Sequence, residues 1–507
     1  MAHGRPVLDL AFRPDRDRSE PLYRQLGSYL RGLIAAERLP RGGKLPATRE
    51  LATALGLSRN TVSQAYDELL SEGILTAHVG QGTFVAPQVG AAPERAVVEP
   101  PARTRGFVWS GLFAHRARAL ALPGGARALY PAGPHRFDFR GGQVAADCLP
   151  ADELKRAFAE ALRRHLRDIA QLLDPFGWLP LRKEVARYLV GRGIECTPAE
   201  VAIVNGAQQA IDLVARVLVD PGDTVVMEQP GYFGASLAFT ACQAHLVGVG
   251  VDDAGLRTDE LARVLRARRA KLVYTTPAAQ APTGAVLSDD RRRTLLALAD
   301  EHQVPVLEDD YDSELRYEGA AVAPLKCADA AGQVIYAATF SKVLFPGLRV
   351  GYVVAAPQLL HKLALARWNA DVTTSAPVQA ALAILLARGG LERHLRRVRR
   401  LYAARLTAML DALDRTMPAG TAWTRPRGGH IVWMTLPPAT DDDGVYRDAL
   451  RAGVAYTPGE LFHMDGRGRQ HLALSFANLP PAAIAEGVAI LAGLVRRHQA
   501  RTERRSS

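Results

Sequence analysis

TFSKVLFPGLRVGY, residues 339–352, sets one lysine, Lys342, between a strand-like apolar run and a proline-glycine turn, with Arg349 seven residues further on. QVIYAATFS before it and RVGYVVAAP after it both read as strands. A lysine just past a strand and flanked by Ser341 and Val343 stands in surroundings too apolar for a solvating surface residue. Burial disfavours the ammonium form and leaves a nucleophilic amine, which is what carbonyl chemistry requires.

Outward from this stretch, short apolar runs alternate with helical patterns: VAIVNG then AQQAIDLVARVLV, DTVVMEQP then a helix, KLVYTTP then RRRTLLALADEH, and VPVLEDD. That alternation predicts an α/β domain with a mostly parallel sheet and a ligand site at the carboxyl ends of its strands. One carbonyl cofactor held through such a lysine is pyridoxal 5′-phosphate, whose ring nitrogen takes a carboxylate partner. Asp309 at the end of VPVLEDD is the expected partner, while Asp310 and Asp312 are expected to meet solvent or cap the next turn. The phosphate needs backbone N–H groups at a helix start and a cation. Gly206, Ala207 and Gln208 offer the first, and Arg349 with Thr339 the second. Tyr232 is placed to stack on the ring and Tyr311 to hydrogen-bond its phenolic oxygen. Singly, Gly206 is a turn, Tyr232 a core residue and Arg349 a surface ion pair; it is the ordered set at strand ends that points to a site.

The amino-terminal stretch has another character. PLYRQLGSYLRGLIAAERL spaces Leu22, Leu26, Tyr29, Leu30, Leu33 and Ile34 as one helix face, and ATRELATALG follows as a short helix ending at Gly56. Ser58 is set to cap RNTVSQAYDELLSEG, and ILTAHVGQGTFVA reads as a β-hairpin wing. A winged helix-turn-helix presents the start of its second helix to the major groove, so Arg59, Asn60, Thr61 and Gln64 are candidate readers beside the Ser58 cap. Arg49 and the backbone at Gly82 and Thr83 are candidate phosphate contacts, with Tyr66 and Leu70 assigned to the core. Helix-turn-helix shapes also serve as protein–protein modules; the wing favours double-stranded DNA as partner.

At 507 residues the chain exceeds one core, and three segments are expected: residues 1–86, a linker and docking segment at 87–136 rich in Pro and Ala, and 137–507. The net charge is +11, but residues 1–86 hold eleven basic and nine acidic side chains, a net of only +2. Basic runs such as ERHLRRVRRLYAARL read as solvated helix faces. The absence of a secretory or membrane-spanning run leads to the expectation of a cytoplasmic protein. Cys148, Cys196, Cys242 and Cys327 lack disulfide or metal-ligand spacing and are expected to be buried thiols, with no metal site.

Two resemblances gather these readings. LPATRELATALGLSRNTVSQAYDELLSEGIL with GQGTFV resembles the GntR-type winged helix, and NGAQQA, EQPGY, TPAAQAPTG, EDDYDSE and SKVLFPGLRVGY resemble, in order, the fold-type I aspartate-aminotransferase-like domain. Together the chain is similar to MocR/GabR-type regulators, among them PdxR-like members. The resemblance implies Lys342 as the Schiff-base lysine, Asp309 on the ring nitrogen, Tyr311 and Tyr232 at the ring, and Gly206, Ala207, Gln208, Thr339 and Arg349 at the phosphate. It also implies a homodimer with one winged helix over the partner's large domain, and an effector that is pyridoxal phosphate itself or an amine or amino acid. A catalytically active aminotransferase carrying a DNA-binding domain is the alternative, and a cofactor-free scaffold a third reading.

Three positions depart from the pattern. Ala281 stands where aminotransferases have an asparagine, Leu172 where many relatives have a tyrosine that reaches a neighbouring phosphate, and Ala473 where an arginine grips the substrate carboxylate. Arg467 and Arg469 are possible substitutes for the last. His430 is expected to be a packed or turn-bonded histidine.

Overall fold

Leu26, Leu30, Leu33 and Ile34 recur at three- and four-residue spacing, so helix α1 (Leu22–Ala35) buries one stripe and leaves the other face polar. That stripe packs on Val62, Ala65, Tyr66 and Leu69 of α3 (Arg59–Ser71), and α2 (Thr48–Leu55) closes the cluster with Leu51 and Ala52. The Ser58 side chain accepts a hydrogen bond from the Thr61 amide, which satisfies one of the orphan donors at the start of α3. Tyr66 lies in the core and donates its hydroxyl hydrogen to the Pro46 carbonyl at 3.0 Å, pinning α3 to the turn before α2. Strands β1 (Leu75–His78) and β2 (Gly82–Val85) pair antiparallel, Leu75 opposite Val85 and His78 opposite Gly82. The Leu45 amide donates to the Thr83 carbonyl at 2.8 Å, which ties the wing to the helical core.

This computed structural model describes residues 12–15, 20–78, 82–86, 112–118, 120, 135–438 and 440–506. Most of the sequence-predicted linker and docking segment, and the Gly80-Gln81 part of the wing turn, lie outside them. The chain divides into two compact units, Met1–Gly111 and Leu112–Ser507.

The second unit is built on a large sheet whose strands, among the described residues, are β4 (Val201–Val204), β5 (Thr224–Gln229), β6 (His245–Asp252), β7 (Gly255–Leu256), β8 (Ala270–Thr275), β9 (Val306–Asp310), β10 (Val334–Thr339) and β11 (Gly351–Val354). Their spatial order is β4-β11-β10-β9-β8-β5-β6-β7. The pairs from β10 through β9, β8 and β5 to β6 are parallel, whereas β11 runs antiparallel between β10 and β4. Helices on both faces explain why β4, β10 and β11 are buried at every position and are almost wholly apolar; β9 is buried throughout as well, although it ends in Glu308, Asp309 and Asp310.

A second sheet joins β12 (Ala422–Trp423), β13 (Ile431–Thr435), β16 (His471–Ser475) and β15 (Thr457–Pro458), and β3 (Phe137–Asp138) pairs parallel with β14 (Val454–Ala455). The helices Gly390–Thr416 and Pro481–Ser506 pack together beside this smaller sheet. No helix among the described residues is long and apolar enough to cross a membrane. The expectation of buried thiols holds for Cys148 alone: Cys196 and Cys242 are half-buried, and Cys327 is exposed because it sits in a short helical turn at the surface.

Candidate ligand site and nucleic-acid interface

Because β11 is antiparallel, its first residues lie at the same edge of the sheet as the last residues of β10. The register sets Thr339 opposite Gly351 and Ala337 beside Asp309, so the lysine loop, Arg349 and the aspartate converge at one edge. A cavity of about 380 Å³ opens there. That is within the roughly 300–1,000 Å³ of small-ligand clefts. Lys342, Asp309, Tyr311, Tyr232, Ala207, Gln208, Thr339 and Arg349 all line it.

Asp309 is 3% exposed, and its Oδ2 accepts a 2.7 Å hydrogen bond from the Tyr274 hydroxyl. Its Oδ1 is buried without a hydrogen-bond partner. Burial first, and then the nearby carboxylates of Asp310 and Glu228, push its carboxyl up to about 7, against the pull of Tyr274 and Lys342. An orphaned carboxylate oxygen is costly unless a donor from outside the chain completes it. Lys342 keeps some exposure to the cavity, yet the surrounding protein lowers its amine below the ordinary lysine range. Asp312 and Asp309 partly restore it and Arg349 lowers it further. It makes no hydrogen bond or ion pair among the described residues.

Gly206 precedes the helix Ala207–Leu218 at φ +87°, and a Cβ there would stand 3.1 Å from Nη2 of Arg349. Glycine is therefore required for the guanidinium to close over the helix start, where Arg349 donates to the Asn205 carbonyl. The Gln208 side chain is spent elsewhere: Nε2 donates to the Gly234 carbonyl and Oε1 accepts from the Tyr232 hydroxyl, which steers Tyr232 into the cavity. The Thr339 hydroxyl contacts the Ser341 hydroxyl at 3.0 Å and accepts from the Ser341 amide at the base of the lysine loop.

Two expectations are corrected. Asp310 and Asp312 do not meet solvent; both are buried. Asp310 does accept from the Ser313 amide, as a turn cap would, but it also takes Nη2 of Arg192 at 2.9 Å and the Tyr336 hydroxyl at 2.6 Å. Burial raises its carboxyl, but Arg192 together with the hydrogen bonds from Ser313 and Tyr336 outweighs that and holds it below the ordinary range. Asp312 binds Nδ1 of His430 at 2.6 Å; His430 is buried, as expected of a packed histidine, and it also forms a wall of the cavity, edge-on to Tyr311. Arg467 and Arg469 are exposed outside the cavity, and Arg467 is held by Asp465. The arginine that does line the cavity from this side is Arg140, which carries no periodic signal in its stretch of sequence. Ala473 faces the cavity among Trp433, Leu461 and Phe462, and Ala281 is a buried wall. Leu172 is 76% exposed.

In the first unit, Arg59, Asn60 and Gln64 are exposed on α3 and Thr61 is half-buried, its hydroxyl 2.8 Å from that of Ser58. Arg49 is exposed on α2, and Gly82 and Thr83 sit on β2. Lys44, overlooked in the sequence because it lies between elements, is exposed beside Gly82 with its ammonium 5.8 Å from the centre of the Phe84 ring.

A profile of aminotransferase class I and II matches residues 142–491, and one of the gntR family of bacterial regulatory proteins matches residues 22–85. The chain belongs to the pyridoxal phosphate-dependent class I and II aminotransferase family, with a GntR-family winged helix at its amino-terminal end. Along most of its length it is similar to the probable rhizopine catabolism regulatory protein MocR of Rhizobium meliloti, 34% identical with 94% of each chain covered, and its architecture is that of a MocR-type regulator. The 2-aminoadipate transaminase of Thermus thermophilus is 40% identical over 70% of this chain and 89% of its own. The solved α-aminoadipate aminotransferase of Thermus thermophilus, complexed with N-(5′-phosphopyridoxyl)-L-leucine, superposes with a TM-score of 0.73 at 37% identity, covering 78% of this chain and all of that one.

Asp309 makes a pH-dependent prediction for the cofactor-free protein. Its folded pKa lies above the unfolded value near 3.9, so the native state binds more protons between those values and stability falls as pH rises from about 4 to about 7. Asp309→Asn should remove that penalty: it should melt above wild type at pH 8, by up to ~4 kcal/mol of stability, and not at pH 4. Paired thermal melts at the two pH values check it; an equal offset at both would mean that the charge is not the cause.

Proposed function

We propose that the chain is a dimeric regulator whose aminotransferase-like unit binds pyridoxal phosphate and reads either that cofactor or an amine or amino acid through Lys342. The observation that carries the reading is the orphaned Oδ1 of Asp309 in the same cavity as an unpartnered lysine amine. When bound, the cofactor supplies an electrophilic carbonyl that can exchange one amine for another. Lys342 would hold its carbonyl end, Asp309 the ring nitrogen, Tyr311 the phenolic oxygen and Tyr232 the ring face. Gly206, Ala207, Gln208, Thr339 and Arg349 would hold the phosphate. Asp309, which lines the cavity, keeps a buried hydrogen-bond acceptor without a partner, and burial pulls the Lys342 amine below the ordinary lysine range, which favours its nucleophilic form.

Arg59, Asn60, Thr61 and Gln64 are the proposed base readers, with Arg49, Gly82, Thr83 and Lys44 as phosphate contacts on a double-stranded operator and Ser58 as the cap that fixes the helix start. The domain limits 1–86, 87–136 and 137–507 and a cytoplasmic location belong to the same reading. Exposed Leu162, Leu166 and Leu172 supply an apolar surface suited to a second copy. The alternative, an enzyme with physiological turnover, lacks the carboxylate arginine at Ala473.

The test begins by selecting duplexes from a random library on the full-length protein. Binding to the selected duplex should change at least about tenfold, or its footprint shorten or lengthen, on addition of pyridoxal phosphate or an amine, and Lys342→Ala should not respond. Unaltered DNA binding under every condition, with amino acids converted to keto acids, would replace the regulator by the enzyme.

A further inference from the structure

Arg140 lines the same cavity as Ala473. Side chains two apart on a strand share a face, and Ala473 and Ser475 of β16 both line the cavity. The Phe139 carbonyl accepts the Ser475 amide at 2.7 Å, so the chain leaves the edge of that sheet at Arg140, two residues along from Ala473. Gly141 and Gly142 follow and also line the cavity, where they place no side chain in front of the guanidinium. Around Ala473 itself the neighbours Trp433, Leu461 and Phe462 are apolar and offer a ligand acid nothing.

The guanidinium is already organised for a carboxylate. Nε and Nη2 of Arg140 grip Oδ1 and Oδ2 of Asp138 at 2.8 and 2.6 Å, and the Arg140 amide donates to Oδ1 at 3.0 Å. Both side chains are largely buried, 18% and 15% exposed, so the fork is held in a fixed plane rather than left to sample solvent. Arg349, the other arginine lining the cavity, is engaged at the Gly206 turn.

We infer that Arg140, oriented by Asp138, is the acid-binding residue of this cavity in place of an arginine at 473, and that the effector is a small amine bearing a carboxylate. The inference rests on the proposed reading of the cavity as an amine site. A guanidinium has five N–H donors, and an incoming carboxylate can share the fork with Asp138 or displace it.

Calorimetric titration with ω-amino acids of increasing chain length, each beside its neutral amide, tests this on the full chain, with and without added pyridoxal phosphate. At least one acid should bind wild type about tenfold or more tighter than its amide. Arg140→Gln should erase that preference while leaving amide binding and the visible cofactor band unchanged. Asp138→Asn should strengthen the preference by removing the negative charge that competes for the guanidinium. Equal binding of every acid and amide to wild type, or a preference that survives Arg140→Gln, overturns the assignment, and so does an equal loss for acid and amide in both variants, which marks the pair as structural. A wild-type chain that shows no cofactor band but keeps an Arg140-dependent acid preference would sink the cofactor reading and spare this one.

Discussion

Lys342→Ala should emerge colourless from gel filtration after incubation with pyridoxal phosphate, while the wild-type chain keeps its visible absorbance. The lysine amine is the group in the cavity able to hold a carbonyl covalently; the Gly206 turn, Arg349, Thr339 and Asp309 can hold a ligand only by hydrogen bonds and charge. Those contacts face an open cavity, where water competes for each of them. Losing the covalent hold should weaken retention by about two orders of magnitude or more, on the order of 3 kcal/mol. Lys342→Arg separates the causes, since it places a cation beside Asp309 and Asp312 but offers no nucleophile; it should lose the colour as well. Neither variant should cost the cofactor-free fold more than about 1 kcal/mol, because Lys342 makes no hydrogen bond whose loss would strand a partner. Retained absorbance in Lys342→Ala would remove Lys342 from the site.

Val62→Asp should unfold the first unit and leave the second intact. Val62 is fully buried on α3 against the α1 stripe. An unpaired carboxylate there costs several kcal/mol, comparable with the whole stability of a domain of this size. Binding to a mixed-sequence duplex at low salt should fall to background, and one of the two steps expected in a calorimetric melt of two separately cored units should vanish. The cofactor band should stay, because the two units have separate cores. Loss of the band together with DNA binding would show that the units do not fold independently.

Much of this was legible from residue order. The three- and four-residue spacing from Leu26 to Ile34, the Ser58 cap and the alternation of short apolar runs with helical patterns are local signals, and each element formed where they pointed. Lys342, Asp309 and Arg349 were readable because strand ends are marked in sequence and the site gathers at strand ends. What escaped was long-range. The partner of Asp312 is His430, 118 residues away, and the partner of Asp310 is Arg192, 118 residues before it. An acidic run such as EDDYDSE reads as solvated unless its counter-charges are known to fold back over it. Arg140 was missed for the same reason: its place on the cavity wall is set by a backbone bond to Ser475, far along the chain.

The antiparallel β11 has a mechanical consequence. Gly351 sits where a Cβ would come within 2.6 Å of the Ala338 carbonyl oxygen and 2.9 Å of the Gly206 Cα, so β10, β11 and the turn before the helix Ala207–Leu218 are fastened at one point. The lysine, the arginine and that turn therefore move as one block, like the fixed jaw of a vice. The facing jaw is carried by β13, β16 and the Arg140 segment, which belong to the other sheet. Any change in grip that a ligand imposes has to be delivered by the second jaw, and mutations that alter signalling without altering cofactor retention should collect there.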